Sequence, residues 1–191
     1  MILSGFACTY KVTVQGKRQI VSFNLPGDVP DLQSLHLKVL DNSISTISPC
    51  SVGFITHEAL WEICTCYPRI TAAFWRETLI DGAIFREWVT NVGRREGTSR
   101  MAHVLCELVT RLRAVDLVED YSCDLPITQA EFADALGFTT VHVNRVLQQM
   151  RAEGLIGTQG TRLTVPDWDR LKAAGEFDPT YLHLESEQAA A

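Results

Sequence analysis

The sequence predicts an α+β chain: antiparallel strands in the first third, one long helix in the middle, and a helical C-terminal domain carrying a small sheet. Three observations predict it. Residues 6–25 alternate apolar and polar side chains around Gln15-Gly16-Lys17, as the two strands of a hairpin do. Residues 68–92 carry Ile70, Ala73, Phe74, Trp75, Leu79, Ile80, Ile84, Phe85, Trp88 and Val92, more than one stripe of a single helix. Residues 128–154 repeat the one-face helical spacing twice, with Gly137 between the two runs.

Composition bounds the function. The 191 residues are 46% hydrophobic, enough for a real core and against disorder. No apolar run approaches the roughly 18 residues of a membrane span, and Met1-Ile-Leu-Ser-Gly5 lacks the basic start and apolar core of a signal peptide. A cytoplasmic protein with no membrane partner is expected. The net charge of −6 argues against non-specific coating of nucleic acid, but a local field can still be positive. Arg94, Arg95, Arg100, Arg111 and Arg113 stand against only Glu96 and Glu107, either as such a field or as a solvated helix face. Acid gathers instead at Glu176, Asp178, Glu185 and Glu187. The six cysteines form no C-x-x-C pair, so all read as reduced and mostly as packing residues.

Taken in order, Tyr10, Val12 and Val14 share one strand face, and Val21, Phe23 and Leu25 share another. Leu25-Pro-Gly-Asp28 breaks the hairpin, residues 28–42 are irregular, and short strands follow at about 43–48 and 51–56 around Pro49. Thr56 can cap a short helix that buries Leu60, Ile63 and Cys64. Pro68 suits the first turn of the long helix. That helix needs two partners, the β region and a symmetry mate. Phe74, Asp81, Phe85 and Trp88 fit one dimer register; Ala73, Ile80 and Ile84 fit another. Gly93 to Thr98 reads as a hinge. Thr98 or Ser99 then starts a helix with Met101, Val104, Leu105, Leu108 and Leu112 on one face, and 114–126 is a loop.

The stretch 128–150 is the most specific. Thr128 with Glu131 makes a capping box. Phe132, Ala133 and Leu136 point inward, and Gly137 suits a left-handed helix end. Thr139 or Thr140 caps a second helix whose Val143, Val146, Leu147 and Met150 face the first. The pattern is a helix-turn-helix. The second helix leaves Thr140, Val141, Asn144, Arg145 and Gln148 for solvent, where they can reach base edges in a major groove. Residues 155–158 and 161–165 flank Gln159-Gly160 as a two-stranded wing, and Pro166 to Ala174 is a last helix. The end of the chain is partly apolar, then alanine-rich, and is expected to fray.

Leu3-Ser-Gly5, Gly16-Lys-Arg-Gln-Ile20, Leu25-Pro-Gly-Asp28 and the segment 128–156, ending Gly154-Leu-Ile156, together resemble the Crp/Fnr family of bacterial transcription regulators. The resemblance implies a partial, cyclic-nucleotide-binding-like antiparallel β-roll as sensor over 1–66. It implies a dimerisation helix and hinge over 67–97 and a winged helix-turn-helix over 98–191. The family's roll has strands before the Leu-Ser-Gly segment, so about half of it is expected to be missing here, as in a truncated product. The implied partners are double-stranded DNA, a second copy of the chain and RNA polymerase, with an undefined small-molecule effector. By the same resemblance Arg145, Asn144 and Val141 read bases, and Thr139, Thr140 and His142 touch the DNA backbone with Gln159, Thr161 and Arg162 of the wing. The implied dimer interface is Phe74, Ile80, Asp81, Ile84, Phe85 and Trp88.

The family's cyclic-nucleotide binders carry a Gly-Glu-Leu and an arginine that grips the phosphate. The matching stretches here read Pro30-Asp31-Leu32 and Asp41-Asn42-Ser43, so cyclic-AMP binding is not expected, and neither is a metal or other cofactor. Two alternatives are a non-reading partner that pairs with a full-length regulator, and a cupin-like β-barrel enzyme. The second needs clustered histidines, and the β region offers only His36. No nucleophile elbow or nucleotide-binding glycine loop is present, so no enzyme is expected.

Overall fold

The computed structural model describes residues 1–184. Glu185, Glu187 and the alanine-rich end lie outside the described residues. The chain clusters into two compact units that divide after Phe85, inside the long helix.

The first unit holds the strands β1 (Ile2–Ser4), β2 (Ala7–Val12), β3 (Arg18–Asn24), β4 (Ser43–Thr46) and β5 (Ser51–Val52). They form two small antiparallel sheets, one in the order β3-β2-β4 and one pairing β1 with β5. The hairpin between β2 and β3 turns at Gly16, whose φ of +78° suits a residue without a Cβ. Its buried row differs from the simple alternation. Thr9 pairs with Ser22 but Tyr10 pairs with Ile20, so Val21 is an extra residue in β3. The bulge resets the period. Ile20, Phe23 and Leu25 are buried, whereas Val12 and Val14 stay exposed at the hairpin tip. The short strands β4 and β5 do not pair with each other across Pro49. Each joins a different sheet.

Helix α1 (His57–Cys66) begins at Thr56, whose hydroxyl accepts from the Ala59 amide. It buries Leu60, while Ile63 and Cys64 are only half-buried. Helix α2 (Pro68–Arg94) starts at the proline and runs through Gly93. Ile84 and Trp88 are buried within the chain, which leaves little of their surface for the expected dimer registers. The exposed apolar residues of α2 lie on another stripe. Ala72, Trp75, Leu79 and Val89, with Gly82 and Arg86 between them, follow alternating steps of three and four residues. Phe85 is also exposed, and Phe74, Ile80 and Asp81 are half-buried.

The second unit is built on α3 (Gly97–Arg113), whose Met101, Val104, Leu105, Leu108 and Leu112 are buried as their spacing predicts. The expected hinge shrinks to Arg95 and Glu96, because α2 continues through Gly93 and α3 begins at Gly97 with φ +38°. Around α3 fold α4 (Gln129–Leu136), α5 (Thr140–Ala152) and α6 (Trp168–Ala174). The wing has three strands rather than two, in the order β6-β8-β7: β6 (Ser122–Asp124), β7 (Gly157–Gln159) and β8 (Arg162–Thr164). β6 lies in the stretch that reads as a loop. Three residues with Cys123 alone buried carry no period, and only pairing with β8 makes them a strand.

A buried polar network ties this unit together. The Glu107 carboxylate is wholly buried and accepts from Trp88 Nε1 at 3.0 Å, Tyr181 Oη at 2.8 Å and Arg111 at 3.4 Å. Burial raises its pKa above the ordinary carboxylate range. His103, also wholly buried, donates from Nδ1 to the Gly175 carbonyl at 3.0 Å. Its Nε2 lies 3.2 Å from Tyr181 Oη and 3.4 Å from Glu87, and Arg95 pairs with Glu87 at 2.8 Å. Burial first, then the Arg95 charge, lowers the His103 pKa. The cysteines are free, with Cys8, Cys106 and Cys123 buried. Burial pushes the Cys106 and Cys123 thiols up to about 12 and about 11, which fits inert packing residues.

Candidate nucleic-acid interface

Local chemistry builds the helix-turn-helix. Both halves of the capping box form: the Thr128 hydroxyl accepts from the Glu131 amide at 3.2 Å, and the Glu131 carboxylate accepts from the Thr128 amide at 2.7 Å. Gly137 ends α4 in the left-handed region at φ +67°, its amide donating to the Ala133 carbonyl. Arg100 adds a cap that sequence spacing could not place, donating to the Leu136 carbonyl at 2.8 Å. Thr139 then caps α5 by accepting from the His142 amide. Val143, Val146 and Met150 are buried, and Ala133, at 7% exposure, is small enough for α4 and α5 to pack closely.

This packing leaves one face of α5 open. Thr139, Thr140, Val141, Arg145 and Gln148 are exposed. Arg145 Nη2 lies 2.8 Å from His142 Nδ1, and the half-buried His142 ring meets Phe138 edge-on at 4.4 Å. Asn144 is half-buried, and its amide nitrogen donates to Gln129 of α4 at 3.2 Å. One side of Asn144 is therefore engaged in holding the two helices together. On the wing, Gln159, Thr161 and Arg162 are exposed. Thr161 and Arg162 also line a cleft of about 160 Å³ with Gln129, Leu147 and Arg151.

The arginines between Gly93 and Arg113 do not make one stripe. Arg95 pairs with Glu87, Arg100 caps α4 and stacks over Phe138 at 4.7 Å, Arg111 reaches Glu107, and Arg113 lies over Tyr121. Most of that charge is structural.

In the first unit, a cavity of about 290 Å³ is walled by β2, β3, the segment 28–42 and α2. Its lining includes Thr9, Ser22, Asn24, Gln33, Asn42, Thr78, Asp28 and Asp81, and among the described residues lining it none is arginine, lysine or histidine. Asp41 is not there; it pairs with Lys11 at 2.6 Å on the surface, and that hydrogen bond lowers its pKa. Asp31 lines a separate, largely apolar cleft with Leu32 and Leu60. Among the described residues no group of three His, Cys, Asp or Glu side chains could hold a metal ion, and His36 packs edge-on against Trp61. No helix of the described residues is long and apolar enough to cross a membrane.

Residues 99–174 match the model of the Crp-like helix-turn-helix domain. The chain is 27% identical over 174 residues to the transcriptional activator protein FnrL of Cereibacter sphaeroides, covering 89% of this chain and 69% of that protein. It is 24% identical to the nitrogen fixation regulation protein FixK of Azorhizobium caulinodans, over 85% of this chain and 64% of the relative. Among solved structures it shares the fold of FixK2 from Bradyrhizobium japonicum, with a TM-score of 0.78 at 23% identity, covering 91% of this chain and 85% of the other. A mutant of CooA from Carboxydothermus hydrogenoformans aligns with a TM-score of 0.70 at 16% identity, over 92% and 77% of the two chains.

Proposed function

We propose that this chain, a DNA-binding transcription regulator of the Crp/Fnr type, acts as a homodimer that reads a palindromic operator with α5. The observation that supports this most is the exposed row of Thr140, Val141 and Arg145 on a helix whose other side is locked by Val143, Val146 and Met150. A helix held this rigidly can present side chains to a major groove at a fixed angle. Arg145 meets guanine O6 and N7, the Val141 methyls lie against a thymine methyl, and the free side of Asn144 faces an adenine or a phosphate. Thr139 and Thr140 at the start of α5, and Gln159, Thr161 and Arg162 on the wing, hold phosphates and set the register.

A two-fold dimer places two α5 helices in half-sites about one helical turn apart. The exposed stripe of α2 through Ala72, Trp75, Leu79 and Val89 forms the seam, because its steps of three and four are those of a two-stranded coiled coil. Bound at a promoter, such a dimer also meets RNA polymerase. The reading leaves out a cyclic phosphate, since the described residues lining the cavity beside α2 include no arginine, lysine or histidine to balance one.

Selection from a random DNA library tests the reader. The wild-type chain is expected to return a palindrome with a guanine in each half-site. Arg145→Ala should cost about 1–3 kcal/mol on that site and relax the guanine. Arg162→Ala should weaken all sequences alike and flatten the salt dependence. An unchanged motif and affinity for Arg145→Ala would refute α5 as the reader.

A further inference from the structure

The exposed arginine of α5 is already held before any DNA arrives. Val141, one turn earlier, is aliphatic and 81% exposed, so it can accept nothing from Arg145. The acceptor is His142, whose Nδ1 lies 2.8 Å from Arg145 Nη2. A guanidinium only donates. Nδ1 therefore carries the lone pair, and the neutral imidazole keeps its proton on Nε2.

His142 is itself anchored. Its amide donates to the Thr139 hydroxyl at 3.2 Å, and its ring packs edge-on to Phe138 at 4.4 Å. The Arg100 guanidinium covers the Phe138 ring at 4.7 Å and donates to the Leu136 carbonyl. A continuous set of contacts thus runs from the interior of the domain through Arg100, Phe138 and His142 to Arg145.

We infer that His142 is a positioning residue for base reading: its Nδ1 restrains the Arg145 guanidinium so that the remaining donors face the guanine. One N–H of Nη2 is taken, and the rest of the fork stays free for a bidentate contact. Arginine has many rotamers to lose on binding, and restraining it beforehand removes part of that cost. The role differs from the phosphate contact expected from the sequence, and it rests on α5 being the reading helix.

The experiment uses the full chain, with library selection followed by titration of the selected duplex and a scrambled duplex. Four proteins are compared: wild type, His142→Ala, His142→Gln and His142→Lys. His142→Ala is expected to weaken the selected duplex about 3- to 10-fold, the scale of one newly immobilised long side chain. It should relax the guanine position and leave the scrambled duplex unchanged. His142→Gln, with an amide oxygen that can accept, keeps the guanine. His142→Lys has no acceptor and repels Arg145, so it loses the guanine while binding the scrambled duplex more tightly. In an Arg145→Ala background, His142→Ala has no further effect on sequence choice, the signature of a coupled pair. Equal weakening of both duplexes by His142→Ala, with lysine as the best replacement, would mark a phosphate contact and overturn the assignment. So would a guanine preference that survives both alanine and lysine. If the wild-type chain selects no motif, α5 is not a reader and the assignment falls with it. If Arg145→Ala abolishes the guanine but His142→Ala does not, only the role of His142 falls.

Discussion

At the residue scale, burial decides chemistry that type alone leaves open. His103 and Glu107 sit on α3, a helix otherwise lined by aliphatic side chains, and both are fully buried. Glu107 is tolerated there because Trp88, Tyr181 and Arg111 donate to it. His103 faces Tyr181, Glu87 and, beyond Glu87, Arg95, with Glu176 also acting on it. Its folded pKa lies below its ordinary 6.5, so the unfolded chain binds the proton first. The stabilising contribution is complete above pH 6.5 and is lost as the pH falls toward the folded value. The limit is about 1.4 kcal/mol for each pH unit. Glu107, held high by burial, has the opposite sign and loses stability as pH rises through its folded value. A comparison isolates the imidazole: thermal midpoints of wild type should fall from pH 7.5 to pH 5.5 more steeply than those of His103→Gln. Parallel pH profiles would contradict the buried neutral histidine.

At the element scale, the caps of α4 and the exposed stripe of α2 make separable predictions. Thr128→Ala removes the hydroxyl that accepts from the Glu131 amide. The expected loss is about 1 kcal/mol, or roughly 4–8 °C in the midpoint of a unit of this size. The selected DNA motif should not change, since Thr128 precedes α4 and is not on the reading face. A midpoint within experimental scatter of wild type would show that the box contributes nothing. On α2, Leu79→Glu puts a charge on the proposed seam without disturbing a buried site. Sedimentation at micromolar concentration should show monomer. The buried Ile84 behaves differently: Ile84→Glu should lower the thermal midpoint of the chain itself, because an unpaired charge is forced into its interior. A dimer undisturbed by Leu79→Glu would move the interface off this stripe.

At the scale of the whole molecule, the first unit carries a cavity and the second the helix-turn-helix. The cavity has no arginine, lysine or histidine among its described lining residues to grip a cyclic phosphate. Isothermal titration with cyclic AMP should therefore show no binding at micromolar concentration; a micromolar dissociation constant would refute this.

What the sequence determined by itself was local. Thr128, Glu131, Gly137 and Thr139 specify caps and a turn through bonds that span at most a few residues, so the helix-turn-helix was legible in order and in register. The buried faces of α4 and α5 followed from helical period for the same reason, whereas α3 is buried on every side from Met101 to Val109. The tertiary structure decided whatever depends on a distant partner. β6 is a strand because β8 pairs with it, about forty residues later in the chain. The face of β3 was reset by the extra Val21, visible only once β2 fixed the pairing. Trp88 fits a dimer seam by spacing, yet its indole bonds to Glu107 and is buried. His142 lies within the legible motif, but its hold on Arg145 depends on a rotamer that spacing does not encode, set by Phe138 and Arg100 from outside α5. Periodicity says which way a side chain points; only packing says what already stands there.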